Sequence, residues 1–261
     1  MKLALWQTHP QPDIATALAG LENAAETAAG QGADLLVTPE MFLGGYDIGP
    51  QAVAAHAAQS VPALEGLQKV AMAHGIALVA GLPLPGVPHP FNACVAIDKS
   101  GAEIARYHKT HLFGDVDRAQ FTAGSALSPV VDLNGWKIAL AICYDVEFPE
   151  LTRALALQGA EIIVTPTANM TPFDSIATRL VPARAEENGI YLAYCNYVGK
   201  EGQFTYNGLS CVAGPDGTDI ARGADRDLIL YATLERATLT EARRAQTHLA
   251  DRRPDLYGDL T

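Results

Sequence analysis

The sequence predicts an α/β fold: a four-layer α-β-β-α sandwich, two sheets face to face with helices outside, carrying an internal pseudo-two-fold duplication. Three observations predict it. Four sequence blocks recur in the same order in the two halves of the chain. Several expected strands are short, nearly continuous apolar runs, the pattern of strands buried on both faces. Helix-like stretches with cap signals alternate with those runs, which places helices on the outer faces of the sheets.

The duplication opens with KLALWQ (2–7) and KIALAIC (137–143). A helix-like stretch follows each, and then one strand in two close copies, GADLLVTPE (32–40) and GAEIIVTPT (159–167). Further helical stretches lead to GIALVAGLP (75–83) and GIYLAYCNYVG (189–199). The last pair is FNACVAIDKSGAEIAR (91–106) and YNGLSCVAGPDGTDIAR (206–222). The period is too long for a solenoid, so two copies predict a single domain over residues 1–261. Buried strands are expected at 33–38, 76–80, 138–142 and 161–165. Turn signals at Asp98-Lys99-Ser100-Gly101 and Pro215-Asp216-Gly217 fold 91–106 and 207–222 into paired strands. Asp13 suits the cap of a helix whose apolar positions are Ile14, Leu18, Leu21 and Ala25. Pro149 suits a first helical turn, followed by Glu150 to Leu157 and stopped by Gly159. Another helix is expected from about Ser175 to Asn188. The polar stretch 238–261, with Arg243, Arg244, Arg252 and Arg253, reads as a helix followed by an arm.

The chain has 261 residues, 49% of them hydrophobic and 18% charged, so it can bury a substantial core. A formal net charge of -11 argues against a nucleic-acid partner. The start, MKLALWQTHP, is apolar only from Leu3 to Trp6, too short for a secretory signal, and no run approaches the roughly 18 apolar residues of a membrane span. The four cysteines show no CxxC spacing. Cys94, Cys195 and Cys211 sit in strand-like runs as small hydrophobes, and a cytoplasmic, disulfide-free protein is expected.

Cys143 ends the apolar strand IALAIC, just before the helix that opens at Phe148-Pro149. A residue on a strand-to-helix turn is pushed into a cleft, and a helix N-terminus favours a thiolate and a developing oxyanion. A buried structural cysteine is the alternative. Glu40 closes the strand LLVTPE, where partial burial would raise its pKa and suit it as a base; a solvated loop acid is the alternative. Its counterpart in the second half is Thr167, so the repeat does not demand an acid there. Lys109 lies in RYHKTHLFGD past the first hairpin, where surface exposure is the usual fate of a lysine. His108 and His111 flank it without a third ligand nearby, so no metal is expected. Asp117 follows Lys109 by eight residues in the same loop. No GxSxG elbow, P-loop or GxGxxG follows a strand.

Taken together, LLVTPEMFLGGY around Glu40, RYHKTHLFG around Lys109 and AICYDVEFPE around Cys143 resemble the nitrilase superfamily of carbon–nitrogen hydrolases, over essentially the whole length. The resemblance implies a duplicated αββα sandwich that pairs as a homodimer or higher homo-oligomer, with DRRPDLYG as a crossing arm. It implies Glu40 as general base, Cys143 as nucleophile through a thioester, and Lys109 with the backbone N–H of Tyr144 as oxyanion stabilisers. Many family amidases carry a second glutamate where Asp117 stands, one methylene shorter here. GGYDIG, KTHLFG, CYDVEFPE and PTANMTP look most like the aliphatic and omega-amino amidases, 5-aminopentanamidase among them. The implied partner is a small-molecule amide, with no cofactor and no membrane.

Relatives with carboxylate-bearing substrates often have arginine where Glu147 stands. An acid there would repel carboxylates and attract an amine, unless it only pairs with an arginine such as Arg184. Tyr46, Asn169, Met170 and Phe173 are the further expected pocket residues, with packing as their alternative role. Rival readings are a nitrilase, an N-carbamoyl amide hydrolase, and a non-catalytic binding module.

Overall fold

The computed structural model describes residues 1–258. Its first half runs β1 (Lys2–Gln7), α1 (Ile14–Gly30), β2 (Leu35–Val37), α2 (Pro50–Ala57), α3 (Ser60–His74), β3 (Ala77–Leu84), β4 (Phe91–Ile97) and β5 (Glu103–His108). After α4 (Gly114–Gln120) and β6 (Val131–Leu133) the pattern repeats as β7 (Trp136–Leu140), α5 (Pro149–Leu157), β8 (Ile162–Pro166), α6 (Val181–Asn188) and β9 (Tyr191–Cys195). There follow the hairpin β10 (Val198–Glu201) and β11 (Phe204–Asn207), then β12 (Cys211–Ala213), β13 (Asp219–Arg222), β14 (Leu228–Thr233) and α7 (Arg236–Ala245). Residues 259–261, the end of the expected arm, lie outside the described residues.

Two six-stranded sheets result, ordered β14-β1-β2-β3-β4-β5 and β6-β7-β8-β9-β12-β13. Each has a parallel trio at its centre (β1-β2-β3 and β7-β8-β9) and antiparallel strands outside. The symmetry is closed by a swap at the ends. The edge strand beside β7 precedes it in the chain, whereas the edge strand beside β1 comes from the far end as β14.

The strand patterns explain the layers. Leu3, Leu5, Leu35 and Val37 of the first sheet share one core with Leu140, Ile162 and Val164 of the second. Their alternate neighbours point outward: Ala4 and Leu36 into a core with α1 and α3, Ala139 and Ile163 into a core with α5 and α6. Strands buried on both faces require apolar residues at every position, hence the continuous runs. Asp13 caps α1 by accepting the Thr16 N–H at 2.7 Å. Gly75 and Gly189, equivalent in the repeat, end α3 and α6 with φ of +61° and +55°, a left-handed stop that only glycine adopts freely.

Four features depart from the expectation. The block YNGLSC begins in the hairpin β10–β11, which has no counterpart in the first half. Strands β6 and β14 lie outside the repeated blocks. The helix expected from Ser175 opens as a π-type turn over Ile176–Leu180, closed by the Val181 N–H on the Ile176 carbonyl. Pro182 has no N–H to give and its ring crowds the preceding turn, which favours the wider winding. Asp117 lies on α4 rather than in a loop. No described helix is long and apolar enough to cross a membrane.

Gln7, fully buried at the end of β1, ties the two sheets together. Its amide donates to the carbonyls of Ala224 and Arg226 and accepts the Ser210 N–H at 3.0 Å. Gln7→Leu leaves those groups unpaired, and the unfolding free energy is expected to fall by about 2–3 kcal/mol. Urea titration checks this; an unchanged midpoint would show that the amide contributes nothing.

Candidate active site

Three chain segments that end at one edge of the sandwich bring Glu40, Lys109 and Cys143 together. Glu40 follows β2, and its N–H reaches the carbonyl of Thr167, its own counterpart in the second half, at 3.2 Å. The two copies therefore touch where the site lies. Lys109 continues β5, so its side chain follows Tyr107 toward the space between the sheets. Its backbone is fixed by bonds to the Asn92 carbonyl and from the Gly124 N–H, each 2.8 Å.

The Lys109 ammonium is fully buried between two fully buried carboxylates. Nζ lies 2.7 Å from Glu40 Oε1 and 2.7 Å from Asp117 Oδ2. Burial alone would strip its proton, but Asp117 and Glu40 outweigh it and hold the ammonium well above the ordinary lysine range. Asn92 Nδ2 donates to Glu40 Oε1 at 2.7 Å, and the Phe113 N–H to Asp117 Oδ2 at 2.8 Å. Glu40 Oε2 and Asp117 Oδ1 take no hydrogen bond among the described residues. Burial raises the Glu40 carboxyl above 4.5, although Lys109 pulls it back in part.

Cys143 opens the short 3₁₀ turn Cys143–Glu147 with φ +43°, a strained left-handed conformation for a side-chain-bearing residue. It is the one cysteine of four that is not fully buried. Burial and the Glu40 charge push the thiol well above its usual pKa, and Lys109 and the Ala168 N–H offset them only in part.

The other expected residues divide. The Tyr46 ring is buried 5.6 Å from Lys109 Nζ, between Phe121 and Phe204. Its loop is latched to the extra hairpin, where Glu201 accepts the Tyr46 and Asp47 N–H groups. Phe173 is 41% exposed and meets Phe113 edge-on, and Phe113 meets Tyr144 in the same way, forming an aromatic rim. Met170 is buried in the first-half core, and Asn169 Nδ2 donates to the Phe173 carbonyl, so both shape the loop behind the rim. Glu147 makes no ion pair with Arg184, which pairs with Glu187 at 3.2 Å and donates to the backbone carbonyls of Val146 and Glu147. The half-buried Glu147 carboxyl is raised above its usual pKa by burial, with Lys109 and Arg184 lowering it in part. His108 stacks on Phe91 and His111 on Phe148, and no described group of residues could hold a metal ion.

Sequence reading missed Asn92 and Gly81. A lone amide in the apolar strand FNACVAI was a signal for a buried hydrogen-bonding task. Gly81 interrupts a buried strand because backbone passes against it: a Cβ there would lie 2.4 Å from the Met41 nitrogen and 2.9 Å from the Glu40 carbonyl carbon.

The sandwich and the polar cluster at its strand ends define the class: an enzyme that hydrolyses carbon–nitrogen bonds outside peptides. The profile of the carbon-nitrogen hydrolase family matches residues 2–244. A Pseudomonas protegens protein described as a hydrolase in pqqF 5'region is 47% identical over all of this chain and 92% of its own. An (R)-stereoselective amidase of a Pseudomonas species is 31% identical over 95% of this chain and 90% of its own. An amidase from Nesterenkonia sp. superposes with a TM-score of 0.91 at 37% identity, covering 100% of this chain and 96% of that one. The amidase from Nesterenkonia sp. AN1 is also known as a cysteine-to-alanine variant in complex with butyramide and, as a glutamate-to-glutamine variant, with the acetamide moiety of fluoroacetamide added covalently at its active-site cysteine. The chain belongs to the carbon–nitrogen hydrolase family, the nitrilase superfamily.

Gly81→Ala is expected to leave a folded protein whose turnover falls by about 10²-fold, since a shift of about 1 Å at a reacting group has that effect. Ammonia release checks it; wild-type turnover would show that the Glu40 backbone does not depend on this contact.

Proposed function

We propose that the chain is a thiol-dependent amidase that converts small primary amides to carboxylic acid and ammonia. The observation that carries this reading is a cysteine on a strained turn, close enough to a buried carboxylate to feel its charge, with a lysine ammonium 2.7 Å from that carboxylate. Glu40 takes the Cys143 proton as sulfur attacks the amide carbon. The Lys109 ammonium and the Tyr144 N–H receive the tetrahedral oxyanion. Glu40 then returns the proton to the nitrogen, the C–N bond breaks, and ammonia leaves a thioester on Cys143. Water, deprotonated by Glu40, adds to the thioester carbon; the C–S bond breaks, the acid leaves, and Glu40 returns the proton to the Cys143 sulfur. Asp117 holds Lys109 from the side opposite Glu40. The amides named for the Nesterenkonia protein support amides over nitriles.

Glu40→Gln is expected to lower ammonia release from butyramide by about 10²–10⁴-fold, the usual worth of a general base. In the wild type, kcat/KM requires the ionised carboxylate. It therefore falls as pH drops through the raised Glu40 pKa, and its acid limb lies above 4.5. An acid limb at or below that value, or a Cys143→Ala variant that still turns over, would assign the chemistry elsewhere.

The acyl chain is proposed to be neutral or to end in an amine. Glu147 supports this as a half-buried carboxylate to which no cationic side chain is bonded among the described residues, near enough to Cys143 to act on the thiol. A substrate ammonium would give this carboxylate the direct ion pair that Lys109 and Arg184, acting only from a distance, do not. 5-Aminopentanamide should be preferred over pentanamide in kcat/KM, and Glu147→Gln should erase the preference. Equal rates for both amides in the wild type would discard this substrate class.

A further inference from the structure

Asp145 lies two residues after Cys143, fully buried, and belongs to none of the steps above. Its carboxylate gathers the segments that carry the lysine and the thiol. Oδ1 accepts from Thr110 Oγ1 and the His111 N–H, both at 3.0 Å, and lies 2.8 Å from His111 Nδ1. Oδ2 accepts from Tyr107 Oη at 2.9 Å and from the Ile142 N–H at 3.0 Å. Tyr107, Thr110 and His111 bracket Lys109 in the chain, and Ile142 immediately precedes Cys143. The His111 ring is also held against Phe148 at 3.9 Å. One buried side chain thus joins the end of β5 in the first sheet to the turn after β7 in the second.

We propose that Asp145 is a positioning residue that sets the distance between the Lys109 ammonium and the Cys143 sulfur. This rests on the reading of those two residues as oxyanion stabiliser and nucleophile. The ammonium comes from one half of the duplication and the thiol from the other, so their spacing depends on how the halves are joined at this edge. Glu40 and Asp117 anchor the tip of the lysine; Asp145 anchors the backbone on both sides of it to the strained cysteine turn.

The carboxylate cannot be replaced by its amide. Each oxygen accepts one backbone N–H, His111 on Oδ1 and Ile142 on Oδ2, and a backbone N–H can only donate. An asparagine in either orientation sets its NH₂ against one of them, so Asp145→Asn keeps the shape and breaks the clamp.

The test uses Asp145→Asn and two readouts. The kcat for butyramide is expected to fall by about 10²-fold with KM changed by no more than about threefold, the signature of displaced reacting groups. The rate of Cys143 alkylation by iodoacetamide, followed by mass spectrometry, is expected to move to higher pH, because the cation that offsets burial of the thiol has withdrawn. A folded variant whose alkylation curve stays in place overturns the proposal whatever its kcat. If Asp145→Asn does not fold, Tyr107→Phe removes one lysine-side bond without adding a donor; it should shift the curve in the same direction by less, and no shift overturns the clamp. If the wild type hydrolyses no amide, the amidase reading falls while the alkylation curve still decides the clamp.

Discussion

The buried ammonium of Lys109 is the constraint on which the rest of this structure depends. A lysine removed from water survives as a cation only where carboxylates replace its hydration, and here two of them do so at 2.7 Å each. Among the described residues those carboxylates pair with no other cation, so any one member without the others would leave uncompensated charge in the interior, at about 3–5 kcal/mol. Four chain segments must therefore arrive together: the turn after β2, the end of β5, helix α4, and the strand carrying Asn92. Glycine at position 81 follows from the same demand, since nothing larger lets the Glu40 backbone pass β3 closely enough.

The duplication supplies a symmetric scaffold, and the chemistry comes from where the copies differ. At the point where the two halves touch, one copy carries Glu40 and the other Thr167. At the ends of the equivalent strands β1 and β7, one copy carries the structural amide of Gln7 and the other leads into Cys143. The hairpin β10–β11 exists in one half only, and it latches the loop that presses Tyr46 against the lysine. Symmetry delivers strand ends to one edge; asymmetry lets that edge hold a carboxylate, an ammonium and a thiol.

The thiol shows how environment decides reactivity. A cysteine that rested as thiolate would be open to any electrophile. Burial and the neighbouring Glu40 charge push this thiol well above its usual pKa; under the proposed mechanism it becomes a nucleophile only as the carboxylate accepts its proton. The same burial raises Glu40 toward a basicity that makes the transfer feasible.

Much of this was legible in the sequence. The continuous apolar runs, the repeated blocks and the cap residues Asp13, Gly75 and Gly189 are local signals that specify strands buried on both faces and helices that cover them. Glu40, Lys109 and Cys143 stood at strand ends and carried recognisable motifs. What the sequence could not show was relation across distance. Nothing near Lys109 says that a lysine will be fully buried, because that depends on carboxylates 69 and 8 residues away arriving together. The amide of Asn92, the close passage at Gly81 and the five contacts gathered by Asp145 gain meaning only when the sheets meet. The surroundings of Cys143 are of the same kind: a helix N-terminus is visible in sequence, whereas the burial and the facing carboxylate that raise its thiol are properties of the tertiary structure alone.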